Sequence, residues 1–254
     1  MYIIADLSGF SNKFPRKSIV TLNLQNHLDA GDSSSYTGSG TTWSDLTTNG
    51  YDFTLTTPTF NGTAGNLSSN EYFKFGGNDI IPETNADSGS ILRTIGQQGQ
   101  AFTIEMYWYF VNTTRFSLHT NVFAGGESGF RYHWSSVTAQ RIFNDFFPTG
   151  PTGESNTTIG LNAWHQVVTA GKPDGTTTGT FYVDGAANGT WTANNSGYTT
   201  GDSTRQAQIS GRPVDSALRA PNLTRLAIVR VYDRILTASE VSQNFEATRG
   251  RFGI

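Results

Sequence analysis

Residues 102–111 read FTIEMYWYFV, and the phase of this stretch decides the fold class. Phe102, Ile104, Met106, Trp108 and Phe110 fall on one side of an extended chain, with Thr103, Glu105, Tyr107 and Tyr109 on the other. Successive side chains of a strand point to opposite faces, so this is a half-buried strand with an aromatic inner stripe. Further runs repeat the signal. Trp164–Ala170 (WHQVVTA) is a second strand. Phe181–Val183 runs into Asp184-Gly185, a dipeptide that supplies the positive φ angles of a tight hairpin. Leu226–Tyr232 (LAIVRVY) is apolar on both faces except at Arg230, as expected of a central strand. Polar, turn-forming loops such as DSSSYTGSGTTWSD and KPDGTTTGT separate the runs, which argues for an all-β sandwich or jelly roll.

One helix is signalled. Thr237 and Glu240 form a T-x-x-E capping box with Leu236 stapling onto Val241, and Val241 and Phe245 share a face. The pattern predicts a helix over roughly 238–248 with Gly250 as its stop. At the other end, residues 1–20 hold Lys13, Arg16 and Lys17 against the single acid Asp6, with Phe14 before Pro15. They read as an arm in which Phe14, Arg16 and Lys17 anchor a partner, followed by one domain over 21–254.

Composition narrows the function classes. The 254 residues include no cysteine, 13% aromatics and 15% charged residues, with a net charge of −3. Zero cysteines exclude disulfide frameworks and thiolate chemistry, and the near-neutral charge leaves no electrostatic footprint for nucleic acid. The longest apolar run, Ala101–Val111, is too short to cross a membrane and carries Glu105. The first residues, MYIIADLSGF, lack the basic flank and apolar core of a secretory signal.

Four pieces in order resemble the laminin-G-like members of the concanavalin A-like lectin/glucanase superfamily. FTIEMYWYF is similar to the family's F-T-I-x-x-W strand, with Trp108 displaced. WHQVVTAGKPDGTTTGTFYVDGAANGTW is similar to its W-H-x-V…Y-V-D-G hairpin through Trp164, His165, Val167, Tyr182, Val183, Asp184 and Gly185. AQISGRP resembles a short strand ending in glycine. LAIVRVYDRILTASEVSQNF resembles the closing strand and helix through Arg230, Val231, Tyr232, Arg234, Leu236, Thr237, Glu240 and Val241. Residues 28–55 and 244–254 are similar to the ends of such domains in virion proteins of tailed bacteriophages. The resemblance implies a two-sheet antiparallel jelly roll with one short C-terminal helix. That fold hosts lectins, glycosidases and assembly modules alike.

The chemistry is then weighed residue by residue. Glucanases of the superfamily carry E-x-D-x-x-E or E-x-D-x-E on one strand, spacing that places the carboxylates on one sheet face. The seven glutamates here are 71, 83, 105, 127, 154, 240 and 246, and none has an aspartate two residues later. No G-x-S-x-G elbow exists, and His27, His119, His133 and His165 show no local partner pattern. The expectation is therefore that the chain is not an enzyme. Asp29 with Asp32, or Asp184, could hold calcium with backbone carbonyls, but no EF-hand pattern supports this; no metal or cofactor is predicted. Sugar sites commonly combine an aromatic platform with polar hydrogen bonds; Tyr107 and Tyr109, on the face opposite the Phe102–Phe110 stripe where they could be exposed together, are the candidate platform, with Trp134 and Trp191 as alternatives. The leading expectation is a structural accessory protein of a bacteriophage virion, in capsid decoration, tail or fibre. It would be homo-oligomeric and partnered by other virion proteins. The alternative is a lectin-like module that binds cell-surface glycans. Neither reading involves nucleic acid or a membrane.

Overall fold

The computed structural model describes residues 17–84, 90–121, 129–134, 139–147, 150–193, 207–211 and 218–254. In chain order the first strands are β1 (Leu24–Asp29), β2 (Thr42–Trp43), β3 (Phe53–Thr54), β4 (Thr59–Asn61), β5 (Tyr72–Lys74) and β6 (Ile81–Pro82). A one-turn helix that the sequence did not announce, α1 (Ile91–Thr94), precedes β7 (Phe102–Tyr109), β8 (Phe116–Thr120), β9 (Gly129–Trp134) and β10 (Ile142–Phe147). Then come β11 (Gly150–Glu154), β12 (Trp164–Gly171), β13 (Gly179–Val183), β14 (Ala186–Trp191), β15 (Gln208–Ile209), β16 (Arg225–Tyr232) and α2 (Ala238–Phe252).

All the pairings are antiparallel. The larger sheet runs β14-β13-β12-β7-β16-β5-β4, with β1 also paired to β16; the smaller runs β11-β10-β9-β8-β15-β6. The jelly-roll sandwich expected from the alternating strands is what forms. Ile104, Met106 and Trp108 of β7 meet Phe130, Tyr132 and Trp134 of β9 in one buried cluster. Phe110 and Trp134 stack at 3.9 Å within it. Asn144 Nδ2 donates to Thr169 Oγ1 at 2.8 Å, a polar bridge between the two sheets.

The central strand β16 owes its two-faced apolar sequence to a register shift. Leu226 pairs with Trp108 and points into the core, but a bulge at Ala227 brings Ile228 opposite Tyr107. The extra residue reverses the phase, so Ile228, Arg230 and Tyr232 point outward with Tyr107, Glu105 and Thr103. Helix α2 lies over this outer face. Val241 packs with Val168, Ala170, Tyr182, Tyr232 and Leu236 at one end, and Phe252 with Tyr107, Trp164 and Ile228 at the other.

The helix starts as predicted. The Thr237 side chain accepts from the Glu240 amide, and the Glu240 carboxylate accepts from the Thr237 amide. It ends later than predicted: Gly250 lies inside the helix, and the stop is Gly253 at φ 70°, left-handed backbone that glycine adopts without a Cβ penalty. The extra turn lets Phe252 stack on Tyr107, with ring centroids 5.0 Å apart. Phe14 and Arg16 lie outside the described residues, and Lys17 is exposed. Ser18 and Val20 make contacts with α2. Ser18 O accepts from Gln243, Val20 N donates to Asn244 Oδ1 at 2.7 Å, and Val20 is buried.

Candidate functional site

A network of buried polar groups sits between the larger sheet and α2. Glu105 Oε1 accepts from Arg230 Nη1 at 2.8 Å and from Gln166 Nε2 at 2.9 Å, while Oε2 accepts from Asn244 Nδ2 at 2.6 Å. Arg230 also donates from Nε to His27 Nε2 at 3.3 Å and from Nη2 to Thr248 Oγ1 at 3.3 Å. A His27 nitrogen that accepts must carry a lone pair, which puts the imidazole proton on Nδ1. Burial, then the Arg230 and Arg251 guanidiniums, hold the His27 pKa well below the usual range, so His27 is neutral. Beside it, Arg251 from the last turn of α2 pairs with Asp29 Oδ1 at 2.6 Å and donates to the Ser68 and Glu71 carbonyls.

The groups of this network that reach solvent line a cleft of about 600 Å³. His27 and Asp29 come from β1, Ile228 and Arg230 from β16, and Glu246, Thr248 and Arg251 from α2, with Ile19, Asp32 and Leu67 at the rim. The arrangement offers hydrogen-bond donors and acceptors beside an aliphatic wall, the requirements of a small polar ligand. No single segment of sequence carries it: Asp29 and Arg251 lie 222 residues apart. The available signals were the lone charges Glu105 and Arg230 in otherwise apolar strands.

The aromatic platform expected from the sequence is not exposed. The bulge and the alternation do place Tyr107 on the outer face, but α2 covers it, and burial pushes its phenol up. Tyr109 is half-buried between Trp164 and the Arg225 guanidinium, which sits 4.2 Å from its ring centroid. Trp134 faces the core, and its indole N–H donates to Asn112 O at 3.1 Å. The physical reasons differ: α2 covers Tyr107 on the outer face of the larger sheet, whereas Trp134 points into the core between the two sheets.

Two other polar groupings were not legible in the sequence. On the outer side of the smaller sheet, Ser117 Oγ lies 3.4 Å from His133 Nδ1, and His133 Nε2 lies 3.7 Å from Asp145 Oδ2. All are buried, His133 stacks on Phe143 at 4.7 Å, and burial pushes its pKa down to about 4. Distances this long and a histidine this hard to protonate describe a packed polar layer. His165 Nδ1 and Asp184 Oδ2 are 2.8 Å apart, with Asp184 also accepting from the Gln166 amide, which pins the hairpin where Asp184 takes φ 50°. Asp29 is tied to Arg251, and Asp184 to His165 and the Gln166 amide.

Comparison with curated proteins finds no match. Among solved structures, Trypanosoma rangeli sialidase in complex with sialic acid aligns at TM-score 0.62 and 15% identity, covering 92% of this chain and 34% of that one. The binding domain of botulinum neurotoxin DC in complex with SialylT aligns at TM-score 0.61 and 10% identity, covering 89% and 52%. The botulinum neurotoxin type G receptor-binding domain aligns at 0.56 and 13%, covering 88% and 51%. This chain thus spans between a third and a half of the solved chains it resembles, and at these identities the likeness shows the fold alone. The expectation of a non-enzyme is corrected by this finding. It rested on the missing glucanase motif, the missing G-x-S-x-G elbow and histidines without a partner pattern, whereas the similar chains include sialidases, so the absence of those motifs does not decide catalysis. No helix among the described residues is long and apolar enough to cross a membrane. The family model of the concanavalin A-like lectin/glucanases matches residues 84–242, which takes in the aromatic strand, the hairpin and the capped helix start: the chain belongs to that superfamily.

Proposed function

We propose that this chain is a glycan-binding module whose ligand sits in the cleft between α2 and the larger sheet. The observation that carries the reading is the cleft itself. Its volume of about 600 Å³ falls within the range of about 300–1,000 Å³ of small-molecule sites. Its lining pairs fixed polar groups with an aliphatic wall, which suits a sugar ring with its hydroxyl rim and apolar face. The carbohydrate ligands named for two of the fold-similar structures support the same class. A broad glycan array on the full chain, followed by titration calorimetry, tests it. Binding is expected, and replacing His27 and Asp32 together by alanine weakens it by about tenfold or more, a loss of about 1.4 kcal/mol. A silent array, or binding indifferent to those substitutions, overturns the reading.

A second reading places the module on a bacteriophage particle with virion proteins as partners. Its support is the likeness of residues 28–55 and 244–254 to virion proteins. Mass spectrometry of purified particles tests it, and particles that lack the chain refute it.

A further inference from the structure

The cleft contains two arginines, and every side-chain nitrogen of both already donates to a protein partner. Arg230 donates from Nε to His27, from Nη1 to Glu105 and from Nη2 to Thr248. Arg251 donates from Nε to Ser68 O, from Nη1 to Asp29 and from Nη2 to Glu71 O. The free positions are of the opposite kind. Asp29 uses Oδ1 for Gly31 N and Arg251, and Asp32 uses Oδ1 for Ser34 N, which leaves Oδ2 of each without a hydrogen bond among the described residues. Glu246 makes only an exposed 3.6 Å pair with Arg249. A donor on the cleft wall for which no protein acceptor is seen among the described residues is the Nδ1–H of neutral His27.

We infer that the cleft selects uncharged, hydroxyl-rich sugars and rejects those that carry a carboxylate. This rests on the glycan reading of the cleft and adds its specificity. Sugar hydroxyls are donors, and they meet the open Oδ2 atoms of Asp29 and Asp32 and the loosely paired carboxylate of Glu246; one hydroxyl oxygen can accept from His27. The CH face of the ring meets Ile19, Leu67 and Ile228. A ligand carboxylate finds both guanidiniums already paired, Arg230 with Glu105 and Arg251 with Asp29. It lies beside acidic side chains of like charge, and desolvating it there without a partner is unfavourable.

The test is an array of matched pairs, each a neutral oligosaccharide and its counterpart ending in sialic acid or a uronic acid, at pH 7 and physiological salt. Neutral members bind, and the acidic counterparts bind at least tenfold more weakly. The double variant Asp32→Asn, Glu246→Gln narrows that gap, because it removes charge while keeping side-chain shape, including the oxygen that accepts from Ser34 N. Circular dichroism confirms that the variant is folded. Acidic members that bind as tightly as neutral ones overturn the specificity and leave the glycan reading standing, as does a gap unchanged in the double variant. Silence from both members of every pair overturns the glycan reading, and the specificity falls with it.

Discussion

Glu105 and Arg230 face each other across the β7–β16 ladder, with Oε1 and Nη1 2.8 Å apart and each side chain no more than 3% accessible. Every remaining polar atom of the pair has a neutral partner, which is the condition under which a buried ion pair is tolerated. Removing one partner strands the other. Glu105→Gln is expected to cost about 3–5 kcal/mol in urea denaturation, a large part of the 5–15 kcal/mol typical of a domain. Glu105→Leu combined with Arg230→Met recovers much of that loss; a double variant as unstable as the single one refutes the account.

The capping box makes a smaller contribution that can be measured separately. Glu240 accepts from the Thr237 amide and takes both Arg234 Nη nitrogens at 2.7 and 2.9 Å. Thr237→Ala should destabilise by about 1 kcal/mol, seen as a shifted urea midpoint with unchanged slope.

Acid should weaken the fold well before the carboxylates titrate. Burial pushes His119 and His133 down to about 4, and His27 is also held well below its usual range. All three are neutral in the folded state and bind a proton on unfolding once the pH drops below about 6.5. Stability is therefore full above that pH and falls as pH decreases toward about 4, with a limiting slope of about 4 kcal/mol per pH unit from three protons. Denaturation midpoints at pH 7, 6 and 5 check this; a flat profile contradicts the burial of these rings. Glu240, held at about 2 chiefly by Arg234, adds a further loss below about pH 4.5.

Trp191 lies flat across two glycines of neighbouring strands. A Cβ built at Gly179 would come 2.1 Å from the indole, and one at Gly171 would come 2.4 Å from it. Alanine at either position forces the ring off a site where it also packs on Phe102 and Phe146. Gly179→Ala is expected to cost about 1–3 kcal/mol and to change the near-ultraviolet circular dichroism of the tryptophans.

How much of this was legible depended on how local the cause was. The phase of residues 102–111, the Asp184-Gly185 hairpin and the Thr237–Glu240 cap are set by neighbours a few residues apart, and they form as read. Three features came from contacts across the chain. The Ala227 bulge turns Arg230 toward Glu105 through pairing with another strand. The cover that α2 lays over Tyr107 depends on where a helix docks, which its own sequence does not state. The cleft gathers His27, Asp29, Arg230 and Arg251 from three elements, and spacing in the sequence carries no trace of that meeting. Even the helix end was misjudged by one turn, because Gly250 and Gly253 are both suitable stops and tertiary packing of Phe252 chose between them.

The bonds from Val20 to Asn244 and from Asp29 to Arg251 join chain positions 224 and 222 residues apart. Contacts of such long range form late in folding, because the loop they close is costly to order. At about 5–20 residues per second of synthesis, on the order of ten seconds or more separate the emergence of β1 from that of α2. Tyr107 and Trp164 are made within that interval and have no cover until α2 arrives. The helix that later shapes the cleft is thus also a clock: until it arrives, the nascent domain exposes the apolar surface most prone to bind other chains, and its survival depends on a segment not yet made.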